Sequence, residues 1–107
     1  MKNIAKLKDM LKAISAIEVY SPPSYESLLK DQKAQDAIMF NLVVLGEAAN
    51  QIETDFQEKH PQIPWSSIIG TRNVIVHGYD QVRLPILWEI IQNDLKDLKS
   101  AIESAAK

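Results

Sequence analysis

The sequence predicts an all-α protein: an antiparallel four-helix up-and-down bundle with one extra short helix. Three observations lead there. Apolar residues recur at three- and four-residue steps in successive stretches, one face of a helix each time. The breaks between stretches are short and mostly marked by proline, which makes sequential helices antiparallel neighbours. No stretch alternates convincingly as a strand, and 3 Gly and 5 Pro in 107 residues are few for a turn-rich β architecture.

The first helix is expected from Ile4 to about Val19, with Ile4, Leu7, Leu11, Ile14 and Ile17 on one face. Ser21-Pro22-Pro23-Ser24 ends it, because proline removes a donor and restricts the residue before it. Ser24 is placed to cap a short helix, Tyr25 to Leu29, and Asp31 to cap the next one. That helix is expected to be long. Ile38, Leu42, Leu45, Ala49, Ile52 and Phe56 keep the helical period down to about Glu58, and Val43 and Val44 widen the face. Gly46 costs about 1 kcal/mol of propensity in mid-helix, so close approach of another backbone is its expected compensation. His60-Pro61-Gln62-Ile63-Pro64 is a loop, and a third helix runs from Pro64 or Trp65 to about His77. Gly78 stands where a left-handed C-terminal cap is expected. The last helix starts near Leu84 with Pro85 in its first turn, buries Leu84, Leu87, Trp88, Ile91, Leu95, Leu98 and Ile102, and frays over Ala101, Ala105, Ala106 and Lys107.

The length fits a single helical domain, 1–107. The absence of cysteine excludes disulfides, thiol catalysis and cysteine-ligated metals. No apolar run approaches a membrane span and the start lacks a signal-peptide core, so no membrane association and a cytoplasmic location are expected. The net charge of −2 is not the footprint of a broad basic nucleic-acid surface. A nucleic-acid role would need a local patch or a second subunit, and so small a domain makes dimerisation a reasonable expectation.

Chemistry concentrates in Arg72-Asn73-Val74-Ile75-Val76-His77-Gly78-Tyr79. On a helix Asn73 and His77 lie about 40° apart and share a face, whereas Arg72 and His77 lie about 140° apart. Arg72 and His77 could meet at one ligand in two ways. The helix could loosen near His77, or a second copy of the chain could supply the partner across a two-fold cleft. Arginine forks onto phosphate oxygens, and histidine exchanges protons near neutral pH. Paired histidines with arginine and no metal suit cleavage of RNA by its own 2′-hydroxyl. One imidazole removes the 2′-OH proton, the other protonates the leaving 5′-oxygen, and Arg72 stabilises the five-coordinate phosphorus. The products would be a 2′,3′-cyclic phosphate and a 5′-hydroxyl.

Other residues rank lower. Glu47 and Asp36 sit about 20° apart on the long helix, where one could orient His77 or Arg72; solvated or capping acids are the plainer alternative. His60 reads as a solvated loop residue, Trp65 and Trp88 as core, and Arg83 as an exposed loop side chain. No Glu-x-x-His pair, phosphate-binding glycine loop or metal-ligand cluster occurs, so no cofactor and no metal are expected.

The segment Pro64-Trp65-x-x-Ile68-x-Gly70-x-Arg72-Asn73-x-x-x-His77-Gly78-Tyr79, followed by Trp88-Glu89, resembles the HepT-like branch of the HEPN ribonuclease toxins. Gln35-Asp36-Ala37 and Asn41-Leu42-x-x-Leu45-Gly46-Glu47-Ala48 are similar to its second-helix signature, and the resemblance spans roughly residues 4–103. It implies a HEPN-like bundle that forms a homodimer with a composite cleft. It implies a metal-independent endoribonuclease, the toxin of a type VII-like pair, with transfer RNA favoured over messenger RNA. The implied partner is a minimal nucleotidyltransferase (MNT) antitoxin that silences the toxin by AMPylation. Carried onto this chain, Arg72 and His77 are the catalytic pair, Asn73 shapes the site and Tyr79 accepts AMP. An adenylyl group on Tyr79 would bring bulk and negative charge next to Arg72 and His77. The rival is a non-catalytic helical adaptor that binds and assists the nucleotidyltransferase; a plain dimerisation module is a third possibility.

Overall fold

A computed structural model describes residues 2–107. It is helical throughout its regular structure, with no strand among the described residues. Helix α1 (Lys2–Tyr20), the short α2 (Tyr25–Leu29), α3 (Gln32–Asn50), α4 (Thr54–Lys59) and α5 (Trp65–His77) follow in order. A 3₁₀ turn (Tyr79–Gln81) leads to α6 (Leu84–Glu89), which continues through a π-helical stretch (Ile90–Asp94) into α7 (Leu95–Ala105). Helix α3 is the centre: α1 packs along one side of it and α5 along another, while α7 returns against α1.

The core is built from the periodic positions. Leu7, Met10, Ile14 and Ile17 of α1 meet Ile38, Leu42, Leu45 and Ala49 of α3, all buried. Leu87, Leu95, Leu98 and Ile102 close it from the last helix. Each fully buried aliphatic of this kind contributes about 1.5–3 kcal/mol. Trp65 is buried, and its indole N–H donates to the carbonyls of Gln57 (3.2 Å) and His60 (3.1 Å). Trp88 is half-buried against Tyr25, ring centroids 6.3 Å apart.

The local signals at the starts of helices hold. Ser24 accepts from the Ser27 N–H at 3.1 Å and Asp31 from the Ala34 N–H at 3.0 Å. Such caps are worth about 1 kcal/mol each. Buried Gln35 donates to the Leu28 carbonyl at 2.7 Å, a second donor beside the Asp31 N–H that the same carbonyl accepts at 3.2 Å, and so ties the end of α2 to α3.

Four local expectations need correction. The long helix does not run to Glu58. It stops at Asn50, where Gln51 and Ile52 N–H groups turn to the carbonyls of Ala48 and Ala49 and Glu53 becomes extended (φ −63°, ψ 144°). The broken end is secured from two sides. Gln57 Nε2 donates to the carbonyls of Ala49 (3.1 Å) and Ile52 (3.2 Å), and Asn3 and Glu53 exchange hydrogen bonds of 3.1 and 3.2 Å. Gly78 is not left-handed: φ is −150° and ψ 52°, and its N–H still closes α5 on the Val74 carbonyl at 2.9 Å. The C-terminus is ordered helix to Ala105, which is buried. His60 is half-buried rather than solvated, its ring 4.4 Å from that of Phe56.

Candidate active site

The site begins with Gly46. A side chain there would overlap Arg72 Cβ, lie 2.9 Å from Arg72 Cγ and stand 3.2 Å from the Ile68 carbonyl. The missing Cβ therefore lets α5 approach α3 closely, which offsets the propensity cost of glycine. Arg72 begins on top of α3 and runs along it to the next residue, Glu47. Its Nε donates to Glu47 Oε1 at 2.8 Å and its Nη2 to the same oxygen. Its Nη1 donates to Asn73 Oδ1 at 2.6 Å.

Guanidinium has five N–H donors. Glu47 and Asn73 engage three nitrogens and leave one N–H on each terminal nitrogen for a further acceptor. The Arg72 side chain is 25% exposed and that of Glu47 43%, so their ion pair contributes only about 0–1 kcal/mol to stability. Its effect is positional: a long, flexible side chain is held in one direction beside the solvent.

His77 is the last residue of α5 and is exposed, with no side-chain hydrogen bond to any described residue. Helix α5 is unbroken from Trp65 to His77. It does not loosen before the histidine, so Arg72 and His77 keep a separation of about 140° round the axis. Asn73 lies on the His77 side and reaches back to Arg72.

Tyr79 opens the 3₁₀ turn and is half-exposed. Its hydroxyl donates to Asp36 Oδ1, which also accepts from Gln32 Nε2 at 2.8 Å. The Tyr79 and Gln32 hydrogen bonds hold the Asp36 carboxyl below the usual carboxylate range. The carboxylate in turn raises the Tyr79 phenol above its ordinary value. The two carboxylates singled out in the sequence thus go to different partners. Glu47 takes Arg72, Asp36 takes Tyr79 instead of Arg72 or His77, and neither bonds to His77. The mid-helix glycine was the signal for a close approach at residue 46; that Arg72 occupies the gap was not legible. Gln32, which steadies Asp36, carried no signal.

Two surface hollows border this region. One of about 380 Å³, between α5 and the last helix, is lined by Leu42, Ile68, Leu95 and Asp94 among others. A shallower groove between α1 and α3 includes Lys6, Lys12, Phe40 and Glu47. Among the described residues, no three His, Asp or Glu side chains gather as a metal-ion site would require. No described helix is long and apolar enough to cross a membrane.

The family model described as "Ribonuclease HepT-like" matches residues 10–105. The "Probable ribonuclease HepT" of Thermococcus cleftensis is 34% identical over 102 residues, which are 94% of this chain and 93% of that one. The "Putative RNase MJ1380" of Methanocaldococcus jannaschii is 31% identical over 100 residues, 92% of each chain. No solved structure matches the chain. The chain belongs to the HepT-like ribonuclease family.

Proposed function

We propose that the protein is an RNA-cleaving toxin whose active site is completed between two copies of the chain. The observation that carries this is the unbroken course of α5 through His77. With helix loosening removed, a second copy is the remaining way to bring Arg72 and His77 onto one phosphate. A two-fold cleft would gather two anchored Arg72 side chains, two Asn73 and two exposed His77.

Two further features support the reading. Phe40, one turn after Asp36, and Val76, one turn after Arg72, are 66% and 51% exposed, apolar surface that a second copy would cover. Lys6 and Lys12 line the groove that reaches Glu47, placing cations beside the site despite the acidic net charge. RNA as the substrate agrees with the ribonuclease names of the relatives.

In the reaction, one His77 accepts the 2′-OH proton and the 2′-oxygen attacks phosphorus. The other His77 protonates the departing 5′-oxygen, and the remaining N–H donors of Arg72 meet the growing charge on the phosphoryl oxygens. These residues supply the chemistry without a metal. Tyr79, two residues past His77, is the acceptor through which a nucleotidyltransferase partner silences the cleft by AMP transfer.

The test is cleavage of RNA in the presence of a chelator by wild type, Arg72→Ala and His77→Ala, with growth measured on induction of the gene alone. The expected result is growth arrest and cyclic-phosphate ends for wild type. Each variant should lose about 100-fold or more with an unchanged melting temperature. Full activity in both variants would overturn the mechanism, and inactive, harmless wild type would favour the adaptor role.

A further inference from the structure

We propose that Asp36 is the proton acceptor for modification of Tyr79, so that the tyrosine presented to the nucleotidyltransferase already carries its own base. This rests on Tyr79 being the modified residue, as proposed above.

The two residues are 43 apart in sequence and come from different elements, α3 and the turn after α5. Their hydrogen bond is therefore made by the fold and not by chain proximity. Asp36 Oδ1 is steadied by Gln32 Nε2, one helical turn earlier. Gln32 and Tyr79 are the side chains bonded to Asp36 among the described residues. Both Asp36 and Tyr79 are exposed, so the pair is open to a partner enzyme from the solvent side.

Tyr79 Oη attacks the α-phosphorus of a nucleoside triphosphate held by the partner. The Oη–P bond forms, the bond from phosphorus to the bridging oxygen breaks, and pyrophosphate leaves with the electron pair. The phenolic proton passes to Asp36 Oδ1 and from there to water. A weakly basic carboxylate is adequate, because the proton becomes acidic only as the Oη–P bond forms. Protein kinases use an aspartate on the substrate hydroxyl in the same way. The hydrogen bonds that keep Asp36 ionised leave it open to a proton, and the raised Tyr79 phenol supplies little free phenolate at neutral pH. Once modified, Tyr79 Oη has no proton to donate and its phosphodiester faces a carboxylate of like charge. The link between α3 and the turn is then lost.

The experiment is a time course of intact mass and peptide mapping. It uses the full chain, a minimal nucleotidyltransferase of the kind proposed as its partner, and magnesium ATP. Wild type, Tyr79→Phe, Asp36→Asn and Asp36→Ala are compared from pH 7 to 9. Asparagine keeps an oxygen that accepts the Tyr79 hydrogen bond but cannot take the proton. Asp36→Asn and Asp36→Ala are expected to lose at least about tenfold in rate, with KM for ATP unchanged. Their rates should climb with pH as phenolate takes over, while the wild-type rate stays flat. Asp36→Asn modified at the wild-type rate, with a flat profile, would overturn the role of Asp36 and leave Tyr79 as acceptor. Absence of any mass gain in wild type, or a gain that survives Tyr79→Phe, would overturn both proposals. If Asp36→Ala does not fold, the isosteric Asp36→Asn decides alone.

Discussion

Gly46 and Arg72 share one tight space between α3 and α5: a Cβ on Gly46 would overlap Arg72 Cβ. This contact sets the distance between α3 and α5 and starts Arg72 on its path to Glu47. Alanine at position 46 would gain about 1 kcal/mol of helix propensity but force the helices apart, at about 1–3 kcal/mol for such overpacking. The expected result for Gly46→Ala is net destabilisation of about 1 kcal/mol, a fall of about 4–8 °C in melting temperature for a domain this size. RNA cleavage should fall further than stability, because Arg72 is displaced. A raised melting temperature with full cleavage would show that the seam has slack.

Glu47 acts on Arg72 through direction and through charge, and the two effects oppose each other. Removing the carboxylate lets the guanidinium wander, but it also removes a negative charge from beside the RNA. For Glu47→Ala, kcat is expected to fall about tenfold, part of the loss of a preorganised donor, with KM unchanged or lower. Stability should change by no more than about 1 kcal/mol. Steady-state kinetics on a short RNA together with thermal melting separates these effects. An increased KM at constant kcat would contradict the positional role.

The Tyr79–Asp36 hydrogen bond has a defined pH window. The Asp36 carboxyl is lowered in the folded chain, so its contribution is present above the ordinary carboxylate value and is lost as pH falls through its folded value. The Tyr79 phenol is raised, so its contribution is complete below the ordinary phenol value and is lost as pH rises through its folded value. The bond is therefore intact across the neutral range. In a spectrophotometric titration of phenolate, Asp36→Ala, which removes the acceptor, is expected to bring the Tyr79 transition down toward the ordinary value of 10.0. An unchanged titration would mean that the two side chains do not hold this bond in solution.

Phe40 and Val76 carry the proposed contact between copies. Phe40→Asp or Val76→Asp should yield a folded monomer in sedimentation analysis, with the wild-type helical spectrum and cleavage reduced in parallel with the dimer fraction. A cleaving monomer would place the whole site within one subunit.

Much of this fold was legible because proline and cap residues mark the starts of helices: Ser24, Asp31, Pro64 and Pro85 each stand at one. The break after Asn50 was not legible, because Ala49, Ile52 and Phe56 keep the helical period across it and all still face the core. The capping by Gln57 and the Asn3–Glu53 pair are tertiary, so no local signal carries them. The π-helical stretch was hidden for a similar reason: Ile90 and Ile91 are adjacent apolar residues that fit either phase. At the candidate site, the spacing of Asp36 and Glu47 placed both carboxylates on one face of α3, where they meet Tyr79 and Arg72. The pairing of each carboxylate depends on how α5 crosses α3, which Gly46 determines.

The most direct measurement is RNA cleavage by defined mixtures of wild-type and His77→Ala subunits, unfolded together and refolded so that they assort at random. If each cleft needs a histidine from both copies, activity falls as the square of the wild-type fraction, to about a quarter at equal mixing. A linear fall, to about half, would mean that each subunit works with its own His77 and would contradict the shared cleft.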